Sequence, residues 1–219
     1  MIFSLVVHAF LLIKEDESSV GNIRKVALWT SIGVFLLSLL IWLQFDNSKA
    51  EYQFQEKIRW FSDFNFYYHI GIDGISLFMV ILSTFLTPLC ILASWESIKI
   101  RVKEFMLAFL FLETVMIGMF ASVDILLFYI FFEAVLIAMY LIIGIWGGDR
   151  RIYASFKFFL YTLFGSVLML IGILGLYFTC GKTFDILLIM ERAPEALNGV
   201  LWWGMSAAKV IWVLLFIGF

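Results

Sequence analysis

Long apolar runs separated by short polar breaks set the pattern of this chain. A run of about 20 residues crosses a bilayer as a helix, and five segments reach that length: Val26–Phe45, Ile70–Trp95, Phe105–Val123, Ile125–Trp146 and Tyr153–Cys180. An earlier apolar segment, Met1–Ile13, is about 20 Å long as a helix and falls short of a full span. Another apolar stretch restarts near Leu201 and is still apolar at Phe219. Only a few residues around Ser122–Asp124 separate two of the spans, which predicts antiparallel neighbours joined by a tight turn. Between Asp46 and Phe66 the pattern is mixed, with Trp60, Phe61, Phe64 and Phe66 among charged residues. It predicts an interfacial loop or a short amphipathic helix lying on the membrane.

Composition sharpens this into a class. The chain is 63% hydrophobic with two prolines in 219 residues, and its mean hydropathy is +1.03. Soluble domains are about 45–50% apolar. The fold class predicted is all-α, a polytopic transmembrane helix bundle in contact with the lipid bilayer. The net charge of −2 and the absence of a basic stripe give no sign of a nucleic-acid partner. Cys90 and Cys180 have no CxxC or Cys/His neighbour, so a metal or disulfide role is not expected. The GxGxxG, GxxxxGK[ST] and HExxH patterns are missing, and no cofactor is expected in this chain itself. The amino terminus has neither the basic region nor the small-residue cleavage site of a signal peptide.

Loop charges predict an orientation. Counting Met1–Ile13 as the first segment, the loops that follow segments one, three and five hold Lys14, Arg24, Lys25, Lys99, Arg101, Lys103, Arg150 and Arg151. The other loops hold Lys49, Lys57, Arg59, Lys182 and Arg192. The first group is the larger and is placed on the cytoplasmic or matrix side.

The candidate chemistry is what interrupts the apolar runs. Glu133 stands nine residues after Asp124, about 13 Å along a helix and close to mid-membrane. Keeping a carboxylate charged there costs on the order of 3 kcal/mol or more, so such residues mark proton or ion transfer, or a cation site. The bland alternative is a neutral or lysine-paired glutamate that serves packing. Glu113 lies midway along the preceding span, at the depth of Glu133 if the turn is tight. Two carboxylates close together raise each other's pKa and favour holding a proton; otherwise Glu113 faces another helix and bonds a donor there. Lys157 lies about a turn inside its span. Near a carboxylate it can exchange a proton, and without one it snorkels to the interface. Lys209 reads as a snorkelling lysine, and His8 and His69 as ordinary interfacial histidines. Pro88 is expected to kink its span, and Gly165, Gly172 and Gly175 to permit close helix packing.

Three stretches in order, GIDGISLFMVILSTFLTPLCILASW (71–95), LLFYIFFEAVLIAMYLIIGIWGG (126–148) and RIYASFKFFLYTLFGSVLML (151–170), resemble the antiporter-like membrane subunits of NADH–quinone oxidoreductase: chain M of the bacterial enzyme and subunit 4 of the mitochondrial one. The resemblance implies a proton-pumping subunit of the membrane arm of respiratory complex I, built from inverted five-helix repeats. It divides the chain into N-terminal helices with an interfacial loop (1–69) and a first antiporter-like repeat (70–219). It matches Glu133 to the family's fifth-helix glutamate through FEAVLI, and Lys157 to the sixth-helix lysine. The lysine that pairs with the glutamate belongs to a seventh helix, beyond Phe219. NADH, FMN, iron–sulfur clusters and quinone are then expected on partner subunits. Other membrane-arm subunits, and a chain supplying the C-terminal half, are expected as partners. The location implied is an energy-coupling membrane, either the bacterial cytoplasmic membrane or the mitochondrial inner membrane. Two alternatives stand beside this reading: the large subunit of a multisubunit cation/proton antiporter, and a structural membrane-arm fragment without a competent channel.

Overall fold

The computed structural model describes residues 19–61, 64–199, 201–202 and 204–218. The short apolar segment Met1–Ile13, with His8 and Lys14, lies outside them. Helices dominate: α1 (Val20–Gln44), α2 (Gly74–Ala93), α3 (Val102–Ala121), α4 (Ile125–Trp146) and α5 (Arg151–Thr179) are each long and apolar enough to cross a membrane. These are the five predicted spans, with moved boundaries. Helix α1 starts six residues early and includes Arg24 and Lys25. Arg24 can stay in the helix because its Nη2 donates to the Ile98 carbonyl at 2.8 Å and its guanidinium stacks over Trp95.

The aromatic stretch after α1 differs from its prediction. Asp46–Tyr52 is loop as expected, but no helix follows: the chain enters an antiparallel hairpin, β1 (Gln53–Phe61) paired with β2 (Phe66–Ile72). Aromatic and β-branched residues favour strands, and FYYHIGI consists mostly of them. The expected span from Ile70 is shortened for the same reason, since Ile70–Ile72 belong to β2. Helix α2 begins after Asp73, whose side chain accepts from the Ser76 amide while the Ser76 hydroxyl accepts from the Asp73 amide. That reciprocal capping fixes the helix start.

Beyond α5 the chain forms a short helix, α6 (Ile186–Ala196), that the apolar pattern did not predict. A two-residue pairing, β3 (Leu201–Trp202) with β4 (Met205–Ser206), leads into the last helix, α7 (Ala207–Gly218). Helix α7 packs against α5. The predicted role of two glycines holds: a Cβ on Gly165 would stand 3.2 Å from the Ile217 carbonyl oxygen, and one on Gly172 would stand 3.1 Å from Leu215.

The bundle has a partly polar interior and an apolar exterior. Ser31, Ser38, Thr84, Ser155 and Ser166 are buried, while Trp29, Leu43, Tyr161 and Phe178 face outward. Lipid is as apolar as leucine, so hydroxyl contacts and small residues hold membrane helices together. Ser38 Oγ and Thr84 Oγ1, 2.8 Å apart, join α1 to α2 in this way. The two ends of the bundle also differ. Arg24, Ile98 and Ile100 meet at one end, where Trp146 Nε1 donates to the Ile100 carbonyl at 2.9 Å. The hairpin, Lys57 and Lys182 meet at the other, where Asn65 donates to the Lys182 carbonyl.

Candidate functional site

Glu133 is positioned by the tight turn that starts its helix. Asp124 caps α4, its Oδ1 accepting from the Leu126 and Leu127 amides at 3.0 and 3.1 Å. From the start of α4 at Ile125, Glu133 lies eight residues in (133 − 125), and Glu113 lies eight residues from the α3 end at Ala121 (121 − 113). The helices pack against each other, so both glutamates stand about 12 Å from the turn, at one depth. Gly118 permits this closeness, because a Cβ there would meet the Phe131 ring at 2.6 Å.

The two carboxyls have different surroundings. Glu113 is 3% exposed and its Oε1 has no hydrogen-bond partner. It extends the buried stripe of α3 that runs through Val102, Phe105, Met106 and Leu110. Glu133 is half-buried, and its Oε1 is likewise buried without a partner. One turn earlier on α4, the Tyr129 hydroxyl lies close to the Glu133 carboxyl and to Ser166 of α5. Tyr129 and Ser166 escaped the sequence reading, since a tyrosine and a serine in apolar spans give no separate signal. Unpaired carboxyl oxygens inside a membrane are suited to carrying a proton, because the neutral form suffers least from burial.

Lys157 is not brought to either glutamate. It is exposed on the outer face of α5, 5.9 Å from the Tyr153 ring centre, beside a groove lined by Arg150, Tyr153, Phe158 and Tyr161. Among the described residues it takes part in no ion pair. Lys209 is exposed in the first turn of α7. No group of three or more metal-ligating side chains occurs among the described residues.

A second polar cluster, at the hairpin end, was not predicted. Asp185 caps α6, with Oδ1 accepting from the Leu187 and Leu188 amides. Its Oδ2 receives Lys57 Nζ at 2.7 Å, and His69 Nδ1 stands 3.4 Å away without the alignment of a hydrogen bond. His69 Nε2 meets Gln55 Oε1 at 3.2 Å. Backbone bonds lock the cluster: Val123 donates to the His69 carbonyl, Ile125 to Phe184, and Ile186 to Val123. Burial works to raise the Asp185 carboxyl, but the Lys57 bond and charge outweigh it and hold it below its ordinary value. Burial, with the Lys57 charge, lowers His69 despite the nearby carboxylate. Burial pushes Asp124 up to about 6 against the pull of the amides it caps. His69, read as an interfacial histidine, is in fact 2% exposed. Its partners lie 14 and more than 100 positions away, so no local pattern could show it.

Comparison with known proteins agrees with this architecture. Residues 1–120 match the family described as NADH-ubiquinone oxidoreductase chain 4, amino terminus. Residues 122–219 match NADH:quinone oxidoreductase/Mrp antiporter, TM. NADH-ubiquinone oxidoreductase chain 4 of Chondrus crispus is 48% identical over 206 residues, 94% of this chain and 42% of that protein. The Marchantia polymorpha chain 4 is 45% identical over 195 residues, 89% of this chain and 39% of the relative. NADH-quinone oxidoreductase subunit M of Rickettsia typhi is 42% identical over 210 residues, 92% of this chain and 42% of the relative. The chain thus spans about two fifths of the length of these relatives. A chain of respiratory complex I from Thermus thermophilus shares the fold, with a TM-score of 0.76 at 24% identity, covering 100% of this chain and 43% of that one. So does a chain of the Mrp complex from Dietzia sp. DQ12-45-1b, with a TM-score of 0.75 at 14% identity, covering 99% and 22%. With five apolar spans, a fold shared with a respiratory complex and both sequence matches, this chain is a multi-pass protein of an energy-coupling membrane that belongs to the family of NADH-ubiquinone oxidoreductase chain 4 and subunit M.

Proposed function

We propose that this chain forms the first antiporter-like repeat of a proton-translocating subunit in the membrane arm of an NADH:quinone oxidoreductase, with Glu133 as its mid-membrane proton carrier. The observation that carries the reading is the Glu133 carboxyl itself. It lies about 12 Å inside its helix, with Oε1 buried and unpartnered and the Tyr129 hydroxyl in contact. A proton binds that oxygen, and its release follows when a cation approaches and stabilises the anion. The cation in this reading is a lysine on the continuation of α7, supplied by the rest of the subunit. Glu113 holds a second proton at the same depth. Lys157 serves the transfer from the outer face of α5, where the remainder of the assembly would meet it. Electron transfer, with NADH, FMN, iron–sulfur clusters and quinone, belongs to partner subunits, and the other membrane-arm subunits surround this one.

The test is Glu133→Gln in the assembled complex. Proton pumping and the coupled quinone reduction should fall at least tenfold, with assembly unchanged. Glu133→Asp should be milder, because it keeps the charge and shortens the reach. Near-normal pumping by a correctly assembled Glu133→Gln complex would sink the proposal.

A second reading, a large subunit of a multisubunit cation/proton antiporter, is favoured by the likeness to the Mrp complex. Vesicles separate the two. Proton uptake driven by NADH supports the first reading, and sodium-driven proton exchange without NADH supports the second.

A further inference from the structure

The hairpin-end cluster sits at the start of the helix that carries Glu133, and the transfer through Glu133 makes no use of it. Asp124 is fully buried. Its Oδ2 has no hydrogen-bond partner, although the Tyr67 amide lies near the carboxyl. Asp185 faces it across an antiparallel bridge and has the opposite character: its Oδ2 is held by Lys57 Nζ at 2.7 Å, with His69 Nδ1 at 3.4 Å. Two carboxyls placed together, one anchored by a cation and one with an open oxygen, divide the work of charge and proton between them. Water reaches the group through Lys57, whose side chain is 43% exposed. Gln55 is exposed as well, whereas His69 and Asp185 are buried.

We propose that Asp124 is a second proton-exchange site, on the hairpin side of Glu133, with Lys57, His69 and Asp185 setting its charge environment. The proposal rests on the proton-transfer reading of Glu133. Uptake forms an O–H bond at Asp124 Oδ2 with a proton from hairpin-side water, and release returns the proton there, so no electrons move. Asp124 faces Asp185, from the segment before α6, and the Tyr67 amide of β2. Lys57 of β1 and His69 of β2 reach it through Asp185, and Gln55 of β1 joins through His69. Arg59 and Lys57 both stack on Tyr67 and add positive charge around the cluster. Burial raises Asp124 to about 6, so its charge changes close to neutral pH. Glu133 stands about 13 Å further along the helix. At an effective dielectric of about 20, a unit charge at that distance changes proton affinity about tenfold. The state of Asp124 thus biases whether Glu133 holds or loses its proton.

The experiment uses the complete membrane assembly, with infrared difference spectra across a pH titration and proton pumping in vesicles. Asp124→Asn keeps the helix cap, since an amide oxygen accepts the same two amides. Wild type should show a protonated-carboxyl band with a midpoint near pH 6. Asp124→Asn should lose it and pump at least fivefold more slowly, while Glu133→Gln retains it. Lys57→Met, a change at the rim, should raise the midpoint by about one unit. A band that survives in Asp124→Asn, a Lys57→Met midpoint equal to wild type, or unchanged Asp124→Asn pumping beside a silent Glu133→Gln overturns the inference. Normal pumping by Glu133→Gln overturns the parent reading instead, and the infrared titration is then read on its own.

Discussion

Asp124 and Asp185 cap different helices with the same geometry and face each other across an antiparallel bridge. Each is followed by Ile-Leu-Leu, so one short sequence begins both α4 and α6. Their surroundings nevertheless drive them apart, Asp124 upward and Asp185 downward.

That divergence predicts opposite pH dependences for stability. The folded chain binds the Asp124 proton more tightly than the unfolded chain. Its contribution is therefore full below about pH 3.8 and lost as pH rises through about 6, up to about 3 kcal/mol. Asp185, held low, contributes above its unfolded value of 3.8 and loses that contribution as pH falls further. Asp124→Asn should flatten the decline between about pH 4 and 6 and raise stability at pH 7. Unfolding of the detergent-solubilised protein across this range measures both.

Removing Asp185 should cost more than removing Lys57. Asp185→Ala deletes a helix cap, worth about 1 kcal/mol, and removes the Lys57 ion pair as well. Lys57→Met leaves the cap in place and removes a partly exposed ion pair, a loss of about 1 kcal/mol or less. Equal losses in the two variants would show that the cap contributes nothing.

Lys157 provides a sharper test because the described structure leaves it unpaired with any carboxylate. If it takes part in transfer, Lys157→Met should slow pumping a few-fold, less than Glu133→Gln, and Lys157→Arg should recover part of the rate. Wild-type pumping by both variants would mark an ordinary interfacial lysine.

Docking of α7 should depend on Gly165. A side chain there meets the backbone carbonyl of Ile217 rather than a movable side chain. Gly165→Leu should destabilise the α5–α7 contact by about 1–3 kcal/mol and open the segment around 199–206 to protease. Gly172→Ala meets the flexible Leu215 side chain and should be milder.

The spans were legible because helical rise and bilayer thickness leave little freedom, and the five long helices followed the apolar runs. The depth match between Glu113 and Glu133 was legible too, since the Ser122–Asp124 break allows only a tight turn. The hairpin was not, because QFQEKIRWF alternates imperfectly and becomes a strand only when β2 pairs with it. Helix α6 is too short for a span and needs its Asp185 cap to be noticed. Lys57 and Asp185 are 128 residues apart, and only the fold brings them together. The comparisons establish the family, whereas the tasks of Glu133, Glu113 and Lys157 rest on chemistry and on the experiments above.

The backbone bonds around Val123 have a mechanical consequence. His69, Phe184 and Ile186 hold both sides of the turn, which pins α4 at its Asp124 end. At its other end α4 runs into Gly147 and Gly148 and is tied in these bonds by side chains alone, Trp146 donating to the Ile100 carbonyl and Arg151 of α5 to the Ile145 carbonyl of α4. A tilt of α4 that keeps these backbone bonds and lets the side-chain bonds give pivots at the hairpin. A swing of about 10° moves Glu133 by about 2 Å and the Trp146 end by about 5 Å. The helix is a lever with its proton-bearing group near the fulcrum: a large displacement at the basic end arrives at Glu133 as a small adjustment, on the scale of making or breaking one hydrogen bond.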